Sequence, residues 1–249
     1  MLAAAIKNIS LSAGYGDQLL LKDIEFTIPH NSVFTVLGKN GSGKSTIAKL
    51  LTRLLDKRFY SVNAKVLFNG KDISGFTETE LVQYRKKNVR CLFQDPVNSF
   101  DPLKKFNYYF DNFDIDRAEA KTLFEYFLLP DMKKILNLYP YEVSGGMAQR
   151  IAFILILLSK ADLIILDEPT SGIDAALSNL LLIKLKEYIT KKNNSVLLIT
   201  QDLLFAERIS TSISIIDNLT MSEFLPADEF FRSADNGIIR FYSAIREES

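Results

Sequence analysis

Gly38-Lys39-Asn40-Gly41-Ser42-Gly43-Lys44-Ser45-Thr46 is the stretch on which the fold turns. It follows the β-branched run Val33-Phe34-Thr35-Val36-Leu37. It precedes Ile47, Leu50, Leu51, Leu54 and Leu55, which recur at helical spacing. Strand, glycine-rich loop and helix in that order open a βαβ unit. Glycines let main-chain N–H groups curl round phosphate oxygens without Cβ clashes. A helix that begins at such a loop turns its positive end toward the same anion. The spacing G-x-x-x-x-G-K-[ST] brings Lys44 to the β- and γ-phosphates of a nucleotide and lets the Ser45 hydroxyl ligate Mg²⁺. By itself this pattern specifies a phosphate-binding loop and leaves kinases and GTPases among the readings.

Outward from the loop, Leu163-Ile164-Ile165-Leu166 and Val196-Leu197-Leu198-Ile199 are continuous apolar runs, as central parallel strands buried on both faces require. A helix-like segment, 175–191, lies between them. The first run ends in Asp167-Glu168-Pro169. A carboxylate at the strand tip, Asp167, can hold Mg²⁺, and Glu168 beside it can polarise an attacking water. Such a pair is elsewhere often a solvated loop; behind a phosphate-binding loop it reads as chemistry. At the N-terminus, Ile9 and Leu11, then Ile24, Phe26 and Ile28, alternate with polar residues, and Val66-Leu67-Phe68 meets the hairpin signal Asn69-Gly70. These predict an N-terminal antiparallel β subdomain. Residues 95–160 carry helix-period, aromatic-rich sequence punctuated by Pro102, Pro130 and Pro140, which predicts a helical subdomain inserted into the core. Residues 1–249 read as a single α/β domain, with no repeat and no separating linker.

Composition narrows the classes. Lys plus Arg balances Asp plus Glu at 30 each, so no net charge draws the chain to nucleic acid. The longest apolar stretch, 151–158, is too short to span a bilayer, for which roughly 20 residues are needed. Any membrane spans must come from another chain. The lone cysteine, Cys91, excludes an internal disulfide and reads as a buried strand residue in a reducing setting. The lone histidine, His30, sits in Pro29-His30-Asn31, a surface turn.

Val143-Ser144-Gly145-Gly146-Met147-Ala148-Gln149-Arg150 precedes the apolar segment 151–158. Ser144 and two glycines at a helix start make a second phosphate-binding site. One nucleotide bound to a monomer has no use for two such sites. Two molecules packed head to tail would, each covering the other's nucleotide. The alternative is an N-cap with glycines that permit close packing.

This order of motifs resembles the nucleotide-binding subunit of ABC transporters over about residues 6–216. The resemblance implies a P-loop NTPase core of the ABC ATPase type, with the helical subdomain inserted in a RecA-like core. It implies ATP and Mg²⁺ as cofactors. Tyr15 resembles the residue that stacks on adenine, and residues 38–46 the Walker A loop. Gln94 resembles the Q-loop glutamine that senses Mg²⁺ and the γ-phosphate. Ser144, Gly145, Gly146 and Met147, with Gln149 after them, resemble the signature that faces a partner's ATP. Asp167 and Glu168 match the Walker B aspartate and the catalytic glutamate. Ser171-Gly172-Ile173-Asp174 resembles the D-loop, with Asp174 at its key position.

Two segments are similar to importers of oligopeptides, dipeptides and nickel: Phe93-Gln94-Asp95-Pro96-Val97-Asn98-Ser99-Phe100-Asp101-Pro102, and Tyr139-Pro140-Tyr141-Glu142-Val143 leading into the signature. That resemblance implies a subunit peripheral to the cytoplasmic face of the cell membrane. Its partners would be a second ABC ATPase subunit, two transmembrane permease subunits and, indirectly, an extracytoplasmic solute-binding protein. Phe100 is the apolar residue expected at the permease-facing surface, unless it packs within the helical subdomain. Three departures stand out. Ala148 replaces an arginine, and the C-terminal extension of those importers is absent or reduced to Phe241-Tyr242-Ser243. Gln201, in Leu198-Ile199-Thr200-Gln201-Asp202, stands where the family has its switch histidine, a catalytic position. His30 cannot replace that histidine. Two other readings stay open: a regulatory subunit that binds ATP and hardly hydrolyses it, and a soluble ABC ATPase without a transport role.

Overall fold

The computed structural model describes residues 1–13, 16–95, 99–112, 115–191 and 193–232. The chain runs β1 (Leu2–Ala13), β2 (Gly16–Ile28), β3 (Val33–Gly38), α1 (Lys44–Leu51), β4 (Tyr60–Phe68), β5 (Lys71–Asp72), α2 (Glu78–Gln83), β6 (Val89–Leu92), α3 (Phe106–Asn112), α4 (Arg117–Tyr126), α5 (Met132–Leu136), α6 (Gly145–Leu158), β7 (Leu163–Asp167), α7 (Ala175–Ile189), β8 (Ser195–Thr200), α8 (Leu203–Ile209), β9 (Ser212–Asp217), β10 (Thr220–Met221), β11 (Leu225–Pro226) and α9 (Ala227–Arg232). They form two sheets. The smaller is antiparallel, in the order β2-β1-β4-β5. The larger runs β10-β9-β3-β8-β7-β6, with β11 beside β9.

The strands of the large sheet show why continuous apolar runs were needed. Ile164 and Leu166 of β7, with Val196 and Leu198 of β8, pack into one core together with α3, α4, α6, α7 and α8. Leu163, Ile165, Leu197 and Ile199 pack into the other, against α1 and the antiparallel sheet. Each strand is therefore apolar on both sides. In the small sheet only one face is covered. Ile6, Ile24, Phe26 and Ile28 point into the core and their polar neighbours point out. Asn69 (φ 48°) and Gly70 (φ 81°) turn β4 into β5, the conformation an Asn-Gly hairpin favours.

Helix starts carry their own chemistry. Thr77 and Glu80 form a capping box on α2. The carboxylates of Asp116 and Asp131 accept the first free N–H groups of α4 and α5. One helix is shorter than its pattern predicts. The apolar spacing of α1 continues through Leu54 and Leu55, yet the helix ends at Leu51 and Leu54 is exposed. Arg53 adopts φ 54°, and the Leu54 N–H reaches back to the Lys49 carbonyl at 2.8 Å, a Schellman-type stop. The Arg53 guanidinium fixes this corner by donating to the Ile73 and Ser74 carbonyls.

Between β6 and β7 the chain forms α3, α4, α5 and α6, whose apolar faces merge with one face of the large sheet rather than closing a core of their own. Phe100 takes the second of its two readings. It is buried, and its ring stands edge-on to Phe106 and Tyr109, 5.1 and 5.0 Å away. Aromatic edge-to-face packing of three rings outweighs exposure at a surface. Cys91 lies partly buried in β6, where burial raises its thiol well above the usual range. His30 is exposed and accepts no catalytic neighbour. Its ring hydrogen-bonds the Met1 amine and the Asn193 carbonyl.

Ile165 is fully buried at the centre of β7. Ile165→Ala removes packed methylenes from the seam between the two sheets and should cost about 2–5 kcal/mol of unfolding free energy. Urea denaturation measures it; a loss below about 1 kcal/mol would contradict this account of the core.

Candidate active site

Register decides the site. Leu37 of β3 pairs with Thr200 of β8, Asp167 of β7 with Ile199 of β8, and Leu92 of β6 with Leu166 of β7. The C-terminal ends of four neighbouring parallel strands thus lie in a row, about 4.8 Å from strand to strand. In open α/β sheets that edge is where ligands bind.

The phosphate loop joins β3 to α1 there. A Cβ on Gly38 would stand 2.7 Å from Ser42 Oγ and 3.0 Å from the Ile216 carbonyl oxygen. Gly43 has φ +94°, and a Cβ on it would meet Leu21 Cδ2 at 2.8 Å. The positive φ makes Gly43 a glycine position, and at Gly38 a side chain would crowd the Ser42 hydroxyl and the Ile216 carbonyl. Lys39, Asn40 and Gly41 form the exposed crest, and the Thr46 N–H closes the first helical turn onto the Gly43 carbonyl. Lys44 is buried and lies back over the loop, donating to the Gly38 carbonyl at 2.6 Å and the Lys39 carbonyl at 2.8 Å. Its Nζ is 3.9 Å from Glu168 Oε1.

Asp167 and Glu168 are buried opposite Lys44. Desolvation pushes both carboxyls above the ordinary carboxylate range. For Asp167, the Ser45 hydroxyl and Lys44 pull the other way; for Glu168, the Gln201 N–H, Lys44 and the Thr200 hydroxyl do. Burial likewise lowers the Lys44 ammonium, against the attraction of both acids. Two buried carboxylates facing one ammonium leave an excess of negative charge. Asp167 Oδ1, Glu168 Oε1 and Ser42 Oγ are buried with no hydrogen-bond partner. Buried polar atoms without partners are costly. Hard oxygen donors next to such a charge excess fit Mg²⁺, and a glycine cradle fits the phosphates it accompanies.

Glu168 itself has φ +49°, uncommon for a residue with a Cβ. The turn is held at both ends. The Glu168 N–H donates to the Ile199 carbonyl at 2.8 Å, and Glu168 Oε2 accepts from Thr200 Oγ1 at 3.0 Å and from the Gln201 N–H at 3.1 Å. Gln201 thus reaches the carboxylate through its main chain. Thr200 belongs to no motif in the sequence; its one signal there is its place between the apolar run of β8 and Gln201.

The remaining motif residues surround this centre. Gln94 is exposed just beyond β6 and shares an open cleft of about 570 Å³ with Gly145, Gly146, Gln149 and Gly172. Ser144 is the N-cap of α6, its hydroxyl accepting from the Met147 N–H at 3.3 Å. Among the described residues nothing lies within 4 Å of where a Cβ on Gly145 or Gly146 would stand. Close packing among those residues therefore does not explain the two glycines. Gln149 points inward instead: buried, it donates to the Pro169 carbonyl at 2.8 Å and so ties α6 to the turn after Glu168. Asp174 caps α7 by accepting from the Leu177 N–H. Tyr15 and residues 96–98 lie outside the described residues, as does 241–243.

A family model described as ABC transporter matches residues 21–171. The chain belongs to the ABC transporter family. ATP hydrolysis is its activity. The metal-staphylopine import system ATP-binding protein CntD of Staphylococcus aureus (strain NCTC 8325 / PS 47) is 30% identical over 227 residues, 88% of this chain and 83% of that one. The oligopeptide transport ATP-binding protein OppD of Lactococcus lactis subsp. cremoris (strain SK11) is 27% identical over 225 residues, 87% of this chain and 67% of that one. Among solved structures, an ATP-binding subunit of an ABC transporter superposes with a TM-score of 0.76 at 24% identity, covering 99% of both chains. A dimeric ATP-binding cassette, in a post-hydrolysis state bound to ADP and Pi, gives 0.78 at 19% identity, over 91% of this chain and 99% of that one. At these identities the structures establish likeness of fold.

Lys44→Ala removes the only buried cation at the loop among the described residues. ATP affinity, measured by calorimetry with Mg²⁺ present, should fall roughly ten- to hundredfold. Unchanged affinity would show that phosphate binds elsewhere.

Proposed function

We propose that this chain is the ATPase subunit of an importer for peptides, nickel, cobalt or a metal–chelator complex, working as an asymmetric pair with a second ABC ATPase chain. The observation that carries the pairing is the open start of α6. Ser144 caps it, and Gly145 and Gly146 leave space that none of the described residues fills. A second cassette would bring its nucleotide there, and this chain's own ATP would meet the partner's equivalent segment. The names of the relatives, import systems for oligopeptides and for a metal–staphylopine complex, support the cargo classes.

In this reading Tyr15 stacks on adenine. Residues 38–46 wrap the phosphates with their main-chain N–H groups, and Lys44 exchanges its two carbonyl partners for phosphate oxygens. Ser45, Asp167 and Gln94 would hold Mg²⁺, which supplies charge neutralisation at the β- and γ-phosphates. Glu168 polarises a water whose oxygen attacks the γ-phosphorus as the bond to ADP breaks. Gln94 lies where the nucleotide end of β6 enters the helical segment, so its engagement can move one part against the other. Among the described residues no helix is long and apolar enough to cross a membrane. Two permease subunits would supply the spans, with the helical segment docked on them at the cytoplasmic face and a solute-binding protein delivering cargo from the other side.

Gln201 motivates the asymmetry. An amide can donate to a phosphate oxygen but cannot carry charge or relay a proton as an imidazole can. Glu168 is retained, so this site should bind ATP well and turn over slowly, while Ser144, Gly145 and Gly146 complete a faster site on the partner. The same substitution favours a second reading, a regulatory subunit with little hydrolysis of its own. The test is ATPase turnover of the chain alone, of the assembled pair, and of Gln201→His in each. The pair should be the faster, and Gln201→His should raise the rate of the chain alone. Equal rates with no effect of Gln201→His would contradict asymmetry. A pair whose whole rate survives Glu168→Gln in this chain would favour the regulatory reading.

A further inference from the structure

We propose that Thr200 is a positioning residue for hydrolysis: its hydroxyl, with the Gln201 main-chain N–H, fixes one oxygen of Glu168 so that the other faces the phosphate loop. The inference rests on Glu168 being the carboxylate that polarises water.

The direction of the Thr200 hydroxyl is determined by its neighbours. Thr200 is fully buried at the end of β8. Its Oγ1 accepts from the Asp202 N–H at 2.9 Å. A hydroxyl has one proton, and an ionised carboxylate can only accept. With Asp202 as donor to it, that proton goes to Glu168 Oε2, 3.0 Å away. The Gln201 N–H donates to the same oxygen at 3.1 Å. Oε2 is thereby doubly bonded to the end of β8. Oε1 is left buried, without a hydrogen bond, 3.9 Å from Lys44 Nζ.

The donors are themselves held. Asp202 Oδ1 accepts from the Phe205 N–H and so anchors the first turn of α8. Asp202 Oδ2 accepts from Thr170 Oγ1 at 2.8 Å. Thr170 lies two residues after Glu168, so the turn that carries the carboxylate and the turn that orients it are tied at two points. Aiming a catalytic group within a fraction of an ångström requires such support around it. Position 201 contributes here through the peptide N–H, which every residue except proline has. The aim of Glu168 is therefore independent of the side chain at 201. That separates positioning, which this chain keeps, from whatever an imidazole would add.

A buried threonine could also be only a packed strand residue with a satisfied hydroxyl, and the experiment distinguishes the two. Thr200→Val keeps shape and removes the hydroxyl; Thr200→Ala removes it with a smaller side chain; Thr200→Ser keeps it. Each is made in the full chain, measured alone and paired with an ATPase partner whose own site is inactivated, so that turnover reports this chain's site, and kcat, the KM for ATP and equilibrium ATP affinity are measured. Loss of a hydrogen bond to a charged group should lower this site's kcat roughly ten- to hundredfold in the valine and alanine variants. KM and affinity should stay within about twofold, and serine should restore kcat. Wild-type kcat in either hydroxyl-free variant, or an equal loss in the serine variant, would overturn the proposal, as would a change confined to KM. Glu168→Gln is the control for the underlying reading. If it hydrolyses ATP normally, Glu168 is not the catalytic carboxylate; if it is inactive while Thr200→Val is not, only the role of Thr200 fails.

Discussion

Lys44, Asp167 and Glu168 are buried together at the ends of β3 and β7, and the need to hold three charges out of water shapes what surrounds them. Isolated charges in an apolar interior are expensive. Here each is answered locally. The Gly38 and Lys39 carbonyls take the ammonium, Ser45 faces Asp167, and the end of β8 holds Glu168. The arrangement is possible only because the parallel register sets those strand ends side by side, and because Gly38 lets the Ile216 carbonyl approach. What the cluster leaves unsatisfied, Asp167 Oδ1, Glu168 Oε1 and Ser42 Oγ, points to its ligand.

Much of this was legible in the sequence because the signals were local. The order strand, glycine loop, helix is contiguous, and its geometry follows from the residues themselves. Buried strands on both faces and the Asn69-Gly70 hairpin are likewise short-range. What escaped depended on contacts distant in the chain. Thr200 acquires meaning only through Glu168 and Asp202, and Gln149 through Pro169. Phe100 reads equally as a surface or a packed residue until Phe106 and Tyr109 close around it. The apolar spacing of α1 runs past its end, because the stop lies in the backbone of Arg53 and in its bonds to residues 73 and 74. Periodicity cannot register that kind of constraint.

The two helix starts differ in how completely the chain provides for them. At α1 the loop, the lysine and both acids converge. At α6 the helix is capped by Ser144, and its two glycines are uncrowded among the described residues. The proposal reads the first as a site and the second as half of one. Gln149 links α6 to the turn after Glu168, so what happens at the second start can be felt near the first. In the proposed pairing, a second cassette would complete it.

The most direct measurement is the ATP dependence of association, by sedimentation velocity, using the Glu168→Gln chain with Mg²⁺-ATP, alone and with its partner ATPase. The account predicts a dimer that forms with ATP and is lost when Ser144 and Gly145 are replaced by bulky residues. A chain that stays monomeric at saturating ATP, with the partner present, would contradict it.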